Sequence, residues 1–259
     1  MPKHSITHVL GSGQLWFGLE DSDGNPQGLR YLGDTPGFTL QIQTEQIDTW
    51  SSDGPTAERE DLAVTQVTRS TQITCKEMSP ENWGLFLIAD VDELAETADS
   101  VTDEEHDVKP GHAYHLGVTD ENPVGARNVE NVEVSDGDTT TYDEGDDYEL
   151  DADLGRIYIM PDGDIDESTI HVDYDTTAST RDLITAADLA EQYGELRYYA
   201  DNTRGPNRNL YVPRLILRPD GETQLKSREQ YQQMQFQAEF LKREGKAQAY
   251  IDGVPVADG

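Results

Sequence analysis

The feature that most constrains this chain is strict alternation of apolar and polar residues over many short segments. Met234, Phe236, Ala238 and Phe240 alternate with Gln235, Gln237 and Glu239, and Phe38, Leu40 and Ile42 alternate with Thr39, Gln41 and Gln43. A period of two has a use only in a strand with one buried face, because successive side chains point to opposite sides of a sheet. The pattern matters because composition alone leaves the outcome open. Only 35% of the 259 residues are hydrophobic and the formal net charge is −33, values that approach those of chains unable to build a core. Patterning decides for a folded β protein.

Further strands are expected at Gln14–Leu19, with a turn over Asp21–Pro26 and a return at Leu29–Leu32, which together make a hairpin. Others follow at Tyr148–Leu150, Arg156–Ile159, Ile170–Tyr174, Leu196–Tyr199 and Tyr211–Arg218. Between Leu62 and Cys75 the apolar positions change parity: Leu62 and Val64 are even, Val67, Ile73 and Cys75 odd. A one-residue slip of this kind predicts a β-bulge or a bend. The stretch from Ser51 to Glu60 is polar, with Gly54 and Pro55, and reads as a long exposed loop. The segment from Leu183 to Leu189 reads equally as a helical turn or a connector.

Ser79-Pro80-Glu81-Asn82 is a helix start: a capping hydroxyl, a proline at the first helical position and an acid for the dipole. Trp83, Phe86 and Leu87 continue at helical spacing, with Val91 and Leu94 one and two turns on. From Asp99 to Asn128 the chain is polar and weakly patterned. The fold class expected is mostly β, a sandwich or barrel with one flanking α-helix.

Chemistry is hard to find. Asp21-Ser22-Asp23-Gly24-Asn25 and Asp162-Gly163-Asp164-Ile165-Asp166 supply oxygens at alternate positions. However, they lack the glycine and glutamate that a calcium loop needs at its sixth and twelfth positions, so both read as turns. His106, His112 and His115 match no zinc spacing and read as exposed. Cys75, the single cysteine, excludes an internal disulfide and sits in an alternating context that favours burial. No nucleophile elbow or phosphate loop is present, so neither an enzyme nor any cofactor or metal is expected. No charged-then-apolar leader opens the chain, and no apolar run approaches about 18 residues. A protein made in a cytoplasm, without a membrane partner, is therefore expected.

A surface with 52 acidic and 19 basic residues repels phosphates, which argues against direct nucleic-acid binding. With 13 arginines to 6 lysines, it also fits a salt-loving host. The least acidic third holds Arg197, Arg204, Arg208, Arg214 and Arg218, a basic stripe suited to an acidic face of a neighbouring copy.

The order of segments resembles the phage major tail tube protein family. Leu15-Trp16-Phe17-Gly18-Leu19, Leu32-Gly33-Asp34-Thr35-Pro36, the Phe38–Gln43 strand, the loop after Trp50 and the Ser79–Asn82 helix start look like that family's N-terminal half. Gly145–Ile157, Val172-Asp173-Tyr174 and Val212–Gly221 are similar to its later parts. The resemblance implies a tube core over residues 1–98 and 176–259, with 99–175 as a β-rich insertion. It implies six-subunit rings stacking into a conduit for double-stranded DNA that passes without specific binding. Its partners would be further copies, a tape measure, a terminator and a baseplate or tip, in a virion tail assembled in the host cytoplasm. Contacts between rings would fall in the arm Met1 to Gly13 (Met1, Leu10, Gly13) and in the loop (Ser51, Asp53, Gly54, Pro55, Glu58, Arg59). The basic stripe read from charge, Arg197, Arg204, Arg208, Arg214 and Arg218, would then supply contacts between subunits. Two alternatives remain open: another tail component such as a terminator or adaptor, and a carbohydrate-binding β-sandwich.

Overall fold

A computed structural model describes residues 8–166, 168–186 and 191–253. Met1 lies outside the described residues. The protein is mostly β with one short helix, and its chain divides into two compact units, residues 1–92 with 184–259 and residues 93–183.

The first unit is built on one antiparallel sheet. Its strands are β1 (Gly13–Leu19), β2 (Arg30–Tyr31), β3 (Gly37–Trp50), β4 (Arg59–Cys75), β14 (Gln192–Ala200), β15 (Arg208–Pro219), β16 (Met234–Phe240) and β17 (Tyr250–Gly253). They follow the order β2-β1-β14-β15-β16-β4-β3, with β17 paired to β15. The alternating positions supply the core: Leu15 and Phe17, Ile73 and Cys75, Leu215 and Leu217, Met234, Phe236, Ala238 and Phe240 are all buried. Phe38 of β3 and Tyr198 of β14 are four strands apart in the sheet, roughly 19 Å if it were flat at the usual strand spacing. Their ring centroids are 5.4 Å apart, so the sheet curls over its own core.

Helix α1 (Pro80–Leu87) starts where its capping signal lies, with the Ser79 hydroxyl accepting from Asn82 N at 3.3 Å. It packs Phe86 edge-on against Phe236, centroids 6.0 Å apart. The buried Asn82 amide donates to Leu32 O at 3.0 Å and Glu77 O at 2.9 Å, which ties the helix to the ends of two strands. The helix is shorter than the apolar spacing suggests. Ile88 adopts φ 52, closing it, and Val91 and Leu94 belong instead to β5 (Ala89–Glu96). The alternation Ala89-Asp90-Val91-Asp92 competes there with the helical period, and the strand prevails.

The second unit has its own core, centred on Ile157, Ile159, Ile170 and Val172, all fully buried. One sheet joins β6 (Asp99–Val108), β12 (Ser168–Thr176), β8 (Val129–Ser135) and β9 (Thr141–Tyr142) in that order. Another joins β10 (Tyr148–Asp151), β11 (Arg156–Ile159) and β7 (Ala113–His115). The polar, weakly patterned Asp99–Val108 stretch is thus a strand. It pairs with β12 along its length, a partner that local pattern does not reveal. β13 (Ser179–Ala186) pairs with β5. It resolves the start of the ambiguous 183–189 segment as strand, while 187–189 lie outside the described residues.

Candidate functional site

β3 and β4 run to 14 and 17 residues, but β4 meets β16 only over Ser70–Cys75. Beyond Ser70 the two strands pair only with each other, so residues 42–69 leave the sheet as a two-stranded ribbon. Its tip is shorter than the loop expected from sequence, because pairing continues to Trp50 and resumes at Arg59. Ser51 N donates to Glu58 O at 2.8 Å to close it. Asp53, Gly54, Pro55 and Glu58 are exposed on the tip. Arg59 bonds Asp48 at 3.3 Å and stacks over Trp50 at 5.3 Å.

The expected bulge is present. Glu45 pairs with Gln66 and Gln46 with Val64, so Thr65 has no partner opposite. The extra residue corrects the parity slip in the sequence. Leu62 and Val64 rejoin the face that carries Val67, Leu40 and Ile42, which continues the core face of Phe38 and Ile73; each of the five stands opposite a polar residue on that same face, Asp48, Gln46, Thr44, Thr71 and Arg69 respectively. The other face is mostly polar: Thr39, Gln41, Gln43, Glu45 and Thr49 against Gln72, Ser70, Thr68, Gln66 and Asp61. The apolar side chains of the first face are exposed. Leu40, Ile42, Leu62, Val64 and Val67 keep 39–58% of their area in solvent. Burying such a side chain is worth about 1.5–3 kcal/mol. The outer edge of β3 is also open, with no lysine or proline to discourage pairing.

The arginine stripe is not an open surface. Arg214 Nε lies 3.1 Å from Glu20 Oε2 and its guanidinium sits over Tyr193, while Arg243 reaches the other Glu20 oxygen at 3.0 Å. Glu20 is nearly fully buried between them. Arg197 lies over Tyr211, 4.0 Å from the ring centroid, and Arg218 lies 3.6 Å from Glu191 and 3.7 Å from Glu239. Only Arg204 and Arg208 are exposed without a side-chain hydrogen bond or ion pair among the described residues. Arg204 O accepts from Leu10 N at 3.0 Å, and Gly13 pairs with Ala200, so residues 10–13 are tied to the 200–204 stretch.

Other candidates resolve into structural roles. Asp21 Oδ1 accepts from Asp23 N at 3.0 Å and Asn25 N at 2.8 Å, so this loop is a turn closed by its own carboxylate. The bond from Asn25 N, more than any other contact, holds the Asp21 carboxyl below its usual range. Asp147 accepts from Asp164 N at 2.8 Å and fixes the second acidic turn. Among the described residues no group of acids, histidines or cysteines has metal-binding geometry. No helix among them is long and apolar enough to cross a membrane.

His106 is not exposed: it is largely buried, 3.0 Å from Glu104. Glu104 also accepts from Gly117 N at 2.9 Å and the Tyr174 hydroxyl at 2.6 Å. Gly117 is required there, since at φ 67 an added Cβ would lie 3.0 Å from that hydroxyl. Burial alone would raise the Glu104 carboxyl. The His106, Tyr174 and Gly117 contacts outweigh it and hold the group below its usual value.

Charge is unevenly spread. Residues 93–183 hold 27 acidic and 4 basic residues, and the rest of the chain holds 25 and 15. The first unit is therefore the less acidic of the two, and its ribbon leaves large apolar side chains in solvent. No curated protein matches the sequence. Residues 8–251 match the family described as protein of unknown function UCP028589, and the chain belongs to that family.

Proposed function

We propose that the protein is a structural subunit of a phage-type tail tube, which assembles into rings that stack into a conduit for DNA. The observation that carries this reading is the ribbon of residues 42–69, with exposed Ile42, Leu62, Val64 and Val67 on one face and free strand edges. Five large apolar side chains left in solvent on one ribbon favour burial against a partner, and an unprotected edge invites pairing with another chain. Joining such edges between copies lets backbone hydrogen bonds continue around a ring, of six subunits as in the family the sequence resembles. The sheet unit's residual acidity repels passing phosphates and so favours transit over binding.

Negative-stain electron microscopy of concentrated protein at low and molar salt tests the reading. Rings or hollow tubes are the expected result. Monomers at every concentration and salt would overturn it. Single rings that never stack would favour a terminator or adaptor.

A further inference from the structure

The ribbon leaves β4 at Ser70, and at the other end of the same paired segment, just past Cys75, lies an open hollow of about 480 Å³. Its lining includes Lys76, Met78, Leu225, Lys226 and Tyr231, and no acidic residue. Two of the chain's six lysines meet there. Both are exposed, and neither ammonium has a hydrogen bond or ion pair among the described residues. Leu225 and Tyr231 are 69% and 90% exposed, more than any other large apolar side chain of the described residues.

The loop that forms this hollow is held in shape. Thr223 Oγ1 donates to Gln233 O at 2.9 Å and Gln232 Nε2 to Leu225 O at 2.9 Å. The Ser227 hydroxyl accepts from Glu229 N and Gln230 N, each at 3.2 Å.

The ribbon has the complementary character. Its tip and adjoining strand carry Asp53, Glu58, Glu60 and Asp61. The one cation among them, Arg59, is already committed to Asp48. Behind the tip lies the exposed face of Leu62 and Val64. Ribbon and hollow stand at opposite ends of one strand, so a single copy cannot bring them together.

We infer that the Lys76–Lys226 hollow is the receptor for the anionic ribbon of a second copy stacked along the strand direction. The inference rests on the self-assembly reading above and names the surface that receives the ribbon. A ribbon of 11 residues beyond Ser70 reaches roughly 35 Å, enough to span to a neighbour. The contact joins unlike surfaces, so it can repeat from copy to copy, and along the strand direction that repetition builds a stack rather than a closed ring. Unpaired lysines against unpaired carboxylates set direction and discourage the reversed arrangement, which would place acidic ribbon against acidic ribbon.

Charge exchange in the full-length protein tests this, with sedimentation velocity and electron microscopy as readouts and circular dichroism to confirm folding. K76E/K226E is expected to weaken stacking at least tenfold at low salt, and so is D53K/E58K. Equimolar mixing of the two variants should restore stacking as alternating pairs, because each supplies the surface that now fits the other. If K76E/K226E stacks as well as the wild type, or if both variants fail and mixing restores nothing, the inference is overturned while tube formation by the wild type stands. If the wild type itself never associates, the self-assembly reading fails and this inference fails with it.

Discussion

Val64 and Val67 lie on the same face of the β3–β4 ribbon although they are three positions apart in one strand. An odd separation places side chains on opposite faces of a regular strand. Thr65 absorbs the difference: it stands without a partner, and its hydroxyl donates to Glu45 O at 3.2 Å. One extra residue thereby returns Leu62 and Val64 to the face that carries Val67.

Deleting Thr65 should therefore regularise the ladder: Val64 and Val67 become two positions apart, so Leu62 and Val64 stay on the face of Val67. The expected outcome is an unchanged circular dichroism spectrum with self-association retained in sedimentation velocity. Loss of association by the deletion variant would show that the bulge itself is needed beyond the face it aligns.

Val64→Asp disrupts that face directly. Val64 is 55% exposed, so the substitution should move stability by no more than about 0.5 kcal/mol. It should nevertheless abolish assembly. Thermal denaturation and electron microscopy, run side by side, check both halves.

Glu20→Gln addresses the interior of the first unit. Its side chain is 2% exposed and its carboxylate holds both Arg214 and Arg243. Neutralising it leaves two partly buried guanidinium groups without their counter-charge, a loss of about 2–4 kcal/mol given that both arginines retain some solvent. Calorimetry should show the transition of this unit lowered by several degrees. A midpoint within 1 °C of wild type, taken as roughly the smallest informative shift, would remove Glu20 from the account.

Glu104→Gln addresses the second unit and its pH dependence. The folded-state carboxyl is held below its usual value, so the stabilisation it provides is fully present above the ordinary carboxylate range. That stabilisation is lost as pH falls through the lower, folded-state value. The variant should be less stable than wild type near neutrality, and the gap should close on acidification. Urea titrations monitored at neutral and acidic pH give the comparison. A gap that widens in acid would contradict the assigned contacts.

Salt should separate the two units. With 27 acids against 4 bases, residues 93–183 repel themselves more strongly than the rest, where the numbers are 25 and 15. Raising salt to molar concentration should lift the Glu104-sensitive transition more than the Glu20-sensitive one. Equal shifts would mean that the acids of the second unit are already screened by their hydrogen bonds.

Much of the strand inventory was legible in the sequence because burial on one face writes itself as alternation. Met234–Phe240 is a strand over the residues its pattern marks, and Ser79-Pro80 starts the helix because capping is local chemistry. Even the bulge was visible as a parity slip between Val64 and Val67. The length of the helix was not, since Val91 fits two periods and only the strand pairing of Ala89–Glu96 chose between them. The β6 strand was hidden for a related reason: its residues are mostly polar, and its order comes from a ladder to β12 some 70 residues away.

The functional surfaces divide in the same way. The sequence by itself determined that this is a β protein with one capped helix, a bulged apolar strand and a large excess of acid. The tertiary structure decided what those features face. It committed Arg214 to Glu20 and stacked Arg197 on Tyr211, closing a stripe that sequence proximity left open. It left Leu62 and Val64 in solvent, and it gathered Lys76 and Lys226, 150 residues apart in the chain, around one hollow. Alternation reports which side chains share a face. Whether that face meets a core, a partner or water depends on where the sheet ends, and that is set by pairings between distant strands.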